Sequence, residues 1–173
     1  MLQLNPQTTT IAEVIDQLGR IVDWARQHDS ALGYFASLYR QVTLRVAEGI
    51  VAGRFSDGPR MEGLDVAFAN RYFEALHLYW QGDRPTQAWQ LAFDTARYRR
   101  VQVLQHLFLG MNAHINLDLG LAAGTYRPGN AVQELEGDFM EINLLLAEMI
   151  DEVQDRLNLL PPPWGAVDRP GEE

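Results

Sequence analysis

The chain has no cysteine and no lysine among its 173 residues. Without cysteine there is no disulfide framework, no thiolate nucleophile and no cysteine-ligated zinc or iron–sulfur site. Without lysine, Schiff-base chemistry, amine nucleophiles and a Walker-type phosphate lysine are excluded as well. Positive charge is scarce: fourteen arginines stand against 23 acidic residues, a net −9. That balance disfavours phosphate backbones and anionic membrane surfaces, so no nucleic-acid partner is expected. Long apolar runs are missing too. The stretch poorest in charge, residues 101–126, carries only Asp118. Its glutamines, asparagines and histidines make it too polar for a bilayer span of about 20 apolar residues, and no membrane span is expected. The opening "MLQLNPQTTT" lacks the basic flank and apolar run of a signal peptide, which predicts a cytoplasmic location. There is no Gly-x-Ser-x-Gly elbow, phosphate-cradling loop or dinucleotide fingerprint. The aromatic residues are dispersed at helical spacing, which suits core packing rather than a base-stacking platform.

What remains is an apolar content of 47%, ordinary for one globular domain with a sizeable core. Thr10 and Glu13 have the spacing of a capping box, and Ile11, Val14, Leu18, Ile21 and Ala25 follow as one helical stripe ended by "QHDS". A second helix is predicted over about 31–53, with Phe35, Tyr39, Val42, Val46 and Ile50 on one face. "GRFSDGPRMEG" reads as turn chemistry, and a third helix as Leu64 to Trp80. Pro85 fits the first turn of a fourth helix continuing to about Ala122, with Gly110 as the place for a break. Asn130 reads as the N-cap of a last helix to about Leu159. No alternating β-branched segment calls for a strand. The expected fold is all-α, a single bundle of five or six helices over residues 1–160. A proline-rich tail over 161–173 is expected to be frayed coil rather than a docked segment, even with Trp164 in it.

The informative stretch is "GMNAHINLDLG", residues 110–120. On a helical wheel this part of the chain is apolar nearly all round, and His114 and Asp118 fall inside the apolar arc. A buried carboxylate must be neutral, paired or metal-bound. Three readings follow. The pair is a structural hydrogen bond completed by an arginine such as Arg45 or Arg71; or side chains at i and i+4 supply two ligands to one ion; or Asp118 orients a metal-free catalytic histidine. Further ligands would come from "EALH", whose Glu74 and His77 have the Glu-x-x-His spacing of metal-binding bundles. Asp65 reads as a first-turn residue serving a helix terminus. His106 reads as a hydrogen-bonded core histidine, His28 as surface, and Asp138 and Asn143 as edge positions that reach water.

The runs "GLDVAFANRYFEALHLYW" and "LQHLFLGMNAHINLDLGLA" resemble a bacterial all-helical family, domain of unknown function 5995, over roughly residues 30–158. That resemblance implies a helical fold and no particular activity. "LGMNAHINLD" is also similar to the HxxxD helix of the zinc-dependent phospholipase C and P1-type nuclease group. This chain departs from that group: it has no histidine after His114 and begins with Met1 where the group has a metal-ligating tryptophan. At most one or two ions are then expected. The first hypothesis these readings allow is a metal-dependent hydrolase of a small-molecule substrate. Zinc, iron or manganese would be held by His114, Asp118, His77 and Glu74, and a metal-bound water would be the nucleophile. The rival expectation is a non-enzymatic helical binding or scaffold protein in which His114 and Asp118 fix helix register.

Overall fold

Each helix begins and ends where local chemistry satisfies the free backbone groups. In the computed structural model, which describes residues 2–98 and 100–158, α1 spans Ile11–Gln27. Thr10 caps it by accepting from the Glu13 amide at 3.2 Å, while the Glu13 carboxylate reaches the Thr9 amide at 2.7 Å. Its buried stripe of Val14, Leu18, Ile21 and Ala25 lies against α2, Leu32–Val51. Helix α3, Gly58–Gln81, starts earlier than its apolar pattern predicts. Asp57 accepts from the Arg60 amide at 2.9 Å and Pro59 sits in the first turn, so the expected turn "SDGPR" is the helix start. Asp65 is therefore two turns inside α3, buried, and not at a terminus. Gly82, at φ 84°, takes the left-handed conformation that ends the helix.

The single fourth helix expected from Pro85 onward is two. Helix α4 covers Gln87–Thr95 and α5 covers Val103–Ala113. The break falls between them, where the Gln105 side chain accepts from the Gln102 amide at 3.0 Å and starts α5 afresh. A contact explains why the chain turns back. Trp89 and Asp118 are hydrogen-bonded, yet 29 residues along one straight helix would stand about 44 Å apart. Gly110 is no break. A Cβ there would lie 2.5 Å from the Phe35 ring, so the glycine lets α5 approach α2 closely. A π turn, His114–Asp118, joins α5 to α6, Leu119–Tyr126, making one continuous rod.

A 3-10 segment, Gly129–Leu135, precedes α7, Glu136–Asn158, so the last helix starts later than Asn130. Buried Asp138 accepts from Arg60 Nε at 2.9 Å and fixes the start of α7 against α3; its edge position does not reach water. Arg54 holds Glu148 through two 2.8 Å contacts and also Glu141, and Arg45 pairs with Glu152. Counting α5 and α6 as one rod gives an all-α bundle of six helices, with no strand among the described residues. One apolar cluster joins α1 to α4 through Leu18, Phe35, Tyr72, Phe73 and Trp89. A second, around Met61, Leu64, Ala123, Leu135 and Leu145, lies at the α6–α7 end. No described helix is long and apolar enough to cross a membrane. The expected tail, 161–173, lies outside the described residues.

Candidate functional site

The rod of α5 and α6 carries its one carboxylate into the core. Asp118 is 1% exposed. Its Oδ2 accepts from the Trp89 indole at 2.7 Å and its Oδ1 from Arg71 Nε at 3.2 Å. Burial pushes the carboxyl up. The neighbouring His114 imidazole, the Trp89 donor and the Arg71 guanidinium outweigh that push and hold it below the usual carboxylate range. Asp118 is thus an anion joined to α3 and α4 by donors from both.

His114 is equally enclosed. Its ring lies flat on Phe68, with centroids 3.6 Å apart and planes 6° from parallel, and the edge of Tyr39 is at 4.3 Å. Nδ1 is 3.8 Å from Asp118 Oδ2, beyond hydrogen-bond reach. Burial lowers the imidazole pKa more than Asp118 raises it, so the ring is neutral near pH 7. Among the described residues neither ring nitrogen has a hydrogen-bond partner.

Two further groups belong to this buried set. Asp65 is 5% exposed and one of its oxygens is unpartnered among the described residues; burial, aided by the charge of Glu62, pushes its carboxyl up to about 7. Among the described residues the buried Tyr39 hydroxyl has no hydrogen-bond partner, and burial with the charges of Asp65 and Asp118 pushes it well above the usual phenol range. Asp65, Phe68 and Tyr72 lie three to four residues apart, on the face of α3 turned to the core.

That same geometry separates the expected ligands. His114 and Asp118 are brought together, but Glu74 is exposed and His77, half buried, accepts from the Gln81 amide at 2.8 Å. Both stand on α3 away from the face that carries Asp65 and Tyr72, so the four-ligand shell does not assemble. Among the described residues no group of three or more histidine or acidic side chains is placed to hold an ion. Of the two arginines expected near Asp118, Arg71 is there and Arg45 pairs elsewhere. His106 is buried, with Tyr34 5.8 Å away, and His28 is exposed and stacked on Trp24. Trp89 escaped sequence reading. Its signal is a matter of counting: a buried indole N–H needs an acceptor, and Asp118 is the only carboxylate in the central rod.

Three open clefts of about 670, 830 and 680 Å³ indent the surface. The first is walled by Arg26, Tyr34 and His106, the second by Trp80, Arg84 and Arg97, the third by Ile115, Gly124 and Phe139. None of the three is lined by His114, Asp118, Asp65 or Tyr39.

No curated protein and no solved structure matches this chain, so the likeness to the zinc-dependent phospholipase group gains no support. The model of the family of unknown function DUF5995 matches residues 11–173, nearly the whole chain, and the protein belongs to that family.

Proposed function

We propose that this is a non-enzymatic helical binding protein whose recognition surface is the outward face of the α5–α6 rod, and that the Asp118 network locks the rod in place. One observation carries the reading. From Val101 to Tyr126 the only charged side chain is Asp118, and it is turned inward, while Leu104, Phe108, Ile115 and Leu121 are 43–57% exposed. Exposed Asn112 and Asn116, bonded to each other at 2.8 Å, complete an uncharged strip on an otherwise acidic molecule. Loss of charge with retention of exposed apolar area is the composition of an interface core, and a strip with this helical spacing fits an apolar helix of a partner protein. The site chemistry agrees. Both Asp118 oxygens are engaged, and a paired carboxylate with no opening to solvent is suited to fixing helices rather than turning over substrate.

One observation keeps a second reading: the two unpartnered nitrogens of His114. A zinc, iron or manganese ion held by His114 and Asp118 would take one of them, and a metal-dependent hydrolase would follow. A photo-crosslinking residue placed at position 108 in cells, with position 74 as the control, tests the first reading. A discrete adduct at 108, lost when Leu104 is replaced by Glu, supports it; equal labelling at both positions overturns it. Metal analysis of protein prepared without tag or chelator tests the second. Near-stoichiometric metal, lost in a folded His114→Ala variant, would favour the enzyme.

A further inference from the structure

The first cleft lies between two corners of the chain. The bend from α1 to α2 brings Arg26 and Tyr34 to it, and the connection from α4 to α5 brings Tyr98 and Val101. The first corner is tight. Asp29 takes a left-handed backbone at φ 47°, and the Ser30 amide donates to the Ala25 carbonyl at 2.9 Å. A Cβ at Gly33 would meet that of Ala25 at 2.6 Å, so only glycine lets α2 start flush against the end of α1. The buried polar side chain of the lining is His106, 6% exposed, its ring 5.8 Å from that of Tyr34. Burial lowers its pKa more than the Val101 carbonyl raises it, so the imidazole is neutral near pH 7. Behind it a void of about 20 Å³ against Phe35, Tyr72 and Trp89 has room for no more than one water molecule, and the cleft ends there.

We infer that this cleft is a binding site for a flat aromatic monocarboxylate, with the carboxylate on Arg26, the ring against Tyr34 and Tyr98, and its inner edge at His106. Each part of that description has a residue behind it. A volume of about 670 Å³ falls within the roughly 300–1,000 Å³ of small-molecule sites, which pair apolar walls with a few convergent polar groups. Arg45, Arg54, Arg60 and Arg71 each hold a carboxylate of the chain. Among the described residues Arg26 holds none, so its planar fork is free for a ligand carboxylate. One cation suits one negative charge. Asp29 also lines the cleft and is itself partnered, and in a chain of net −9 a second ligand charge would meet repulsion. The body is flat and aromatic because Tyr34 and Tyr98, 43% and 67% exposed, offer ring surface. A long alkyl tail would need a channel into the core, and the cleft stops at His106.

Titration of the nitrogen-15-labelled full chain with 2-naphthoate, followed by amide NMR, tests the site. The amides of Arg26, Gly33, Tyr34 and Tyr98 should shift together and saturate with a Kd below about 1 mM. The neutral 2-naphthalenemethanol should bind about tenfold more weakly, since it lacks the charge-assisted bond to Arg26, and the dianion 2-naphthyl phosphate should gain nothing over the carboxylate. Arg26→Gln and Tyr34→Ala change exposed side chains and should leave the amide spectrum of the fold intact. Each should weaken naphthoate several-fold, the arginine variant by about tenfold. Arg97→Gln, in the neighbouring second cleft, should leave its affinity unchanged. Shifts that do not saturate, or that scatter over the surface, overturn the inference. So do equal affinities for acid and alcohol, tighter binding of the phosphate, binding that ignores the Arg26 or Tyr34 variant, or an equal loss in Arg97→Gln, the sign of unspecific attraction to arginine. None of these readouts depends on Leu104, Phe108, Ile115 or Leu121, so this inference and the partner surface fail separately.

Discussion

Replacing Asp65 by asparagine should stabilise the protein, and only above acidic pH. In the fold the carboxyl ionises at about 7, against an ordinary value of 3.8, because burial strips its water and Glu62 adds a like charge. Between those two pH values the folded chain keeps a proton that the unfolded chain has lost. Stability from this group is therefore complete below pH 3.8, falls as pH rises, and is gone once the folded carboxyl ionises. Three units correspond to about 4 kcal/mol, near 1.4 kcal/mol per unit. Asparagine has the shape of the protonated acid and no titration. Urea unfolding of both proteins, followed by far-ultraviolet circular dichroism from about pH 4 to pH 8.5, gives the stability difference at each pH. The difference is the right quantity because His114 opposes the trend. Its folded pKa is depressed, so its contribution grows as pH rises toward 6.5 and is complete above it. The lowered pKa of Asp118 makes its contribution complete above pH 3.8 and constant across the window. The variant should match the parent near pH 4 and exceed it by up to about 4 kcal/mol at pH 8. A difference that stays flat within about 1 kcal/mol would show that Asp65 is hydrated or partnered, and the argument from burial would fall.

Other perturbations follow from the same contacts. Asp118→Asn removes the charge from the Arg71 contact and one acceptor from the Trp89 pair; because Arg71 is 32% exposed and can turn to water, the loss should be about 2–3 kcal/mol in urea unfolding. Asp138→Ala leaves Arg60, whose side chain is only 13% exposed, without its buried partner, and should cost about 3 kcal/mol or more. Gly110→Ala drives a methyl into the Phe35 ring, and a melting curve should register about 1–3 kcal/mol of destabilisation despite the better helix propensity of alanine.

Periodicity made the helices legible because each amphipathic stripe, such as Val14 to Ala25, is written in local spacing. What it misplaced were the boundaries set by non-local contacts. The start of α3 depends on Asp57 and Pro59 in a segment that reads equally well as a turn. The division of α4 from α5 depends on a hydrogen bond between Trp89 and Asp118 that no window along the chain contains. The same distinction governs the site. That Asp118 is buried could be read from its apolar neighbours, and Arg71 from the need for a counter-charge. Glu74 and His77 could not be placed, since their spacing fits a ligand pair on any face and only packing decides which face turns inward. Asp138 was lost for a related reason: an edge position is wet unless another helix brings an arginine to cover it.

The π turn at His114–Asp118 has a cause in the same arithmetic. Gly110, His114, Asp118 and Ala122 are all buried, and they recur every four residues. In an α-helix each such step drifts by about 40°, so the four positions would spread over roughly 120° and could not all face α2, α3 and α4. One wider turn, closed by the Leu119 amide on the His114 carbonyl, takes up one residue, about 100°, and returns Asp118 and Ala122 to the face shared by Gly110 and His114. Deleting exposed Asn116 should then be tolerated. Asp118 would fall three residues after His114 and Ala122 seven after it, all within about 60° of one another on a regular helix. Stability should stay within about 1 kcal/mol of the parent, since the regained α-helical hydrogen bond offsets small shifts at the carboxylate. The Trp89 indole proton should keep its downfield position in the NMR spectrum. An unfolded deletion variant, or one whose indole signal moves as in Asp118→Asn, would mean that the wide turn itself, and not the face it restores, holds the carboxylate in the core.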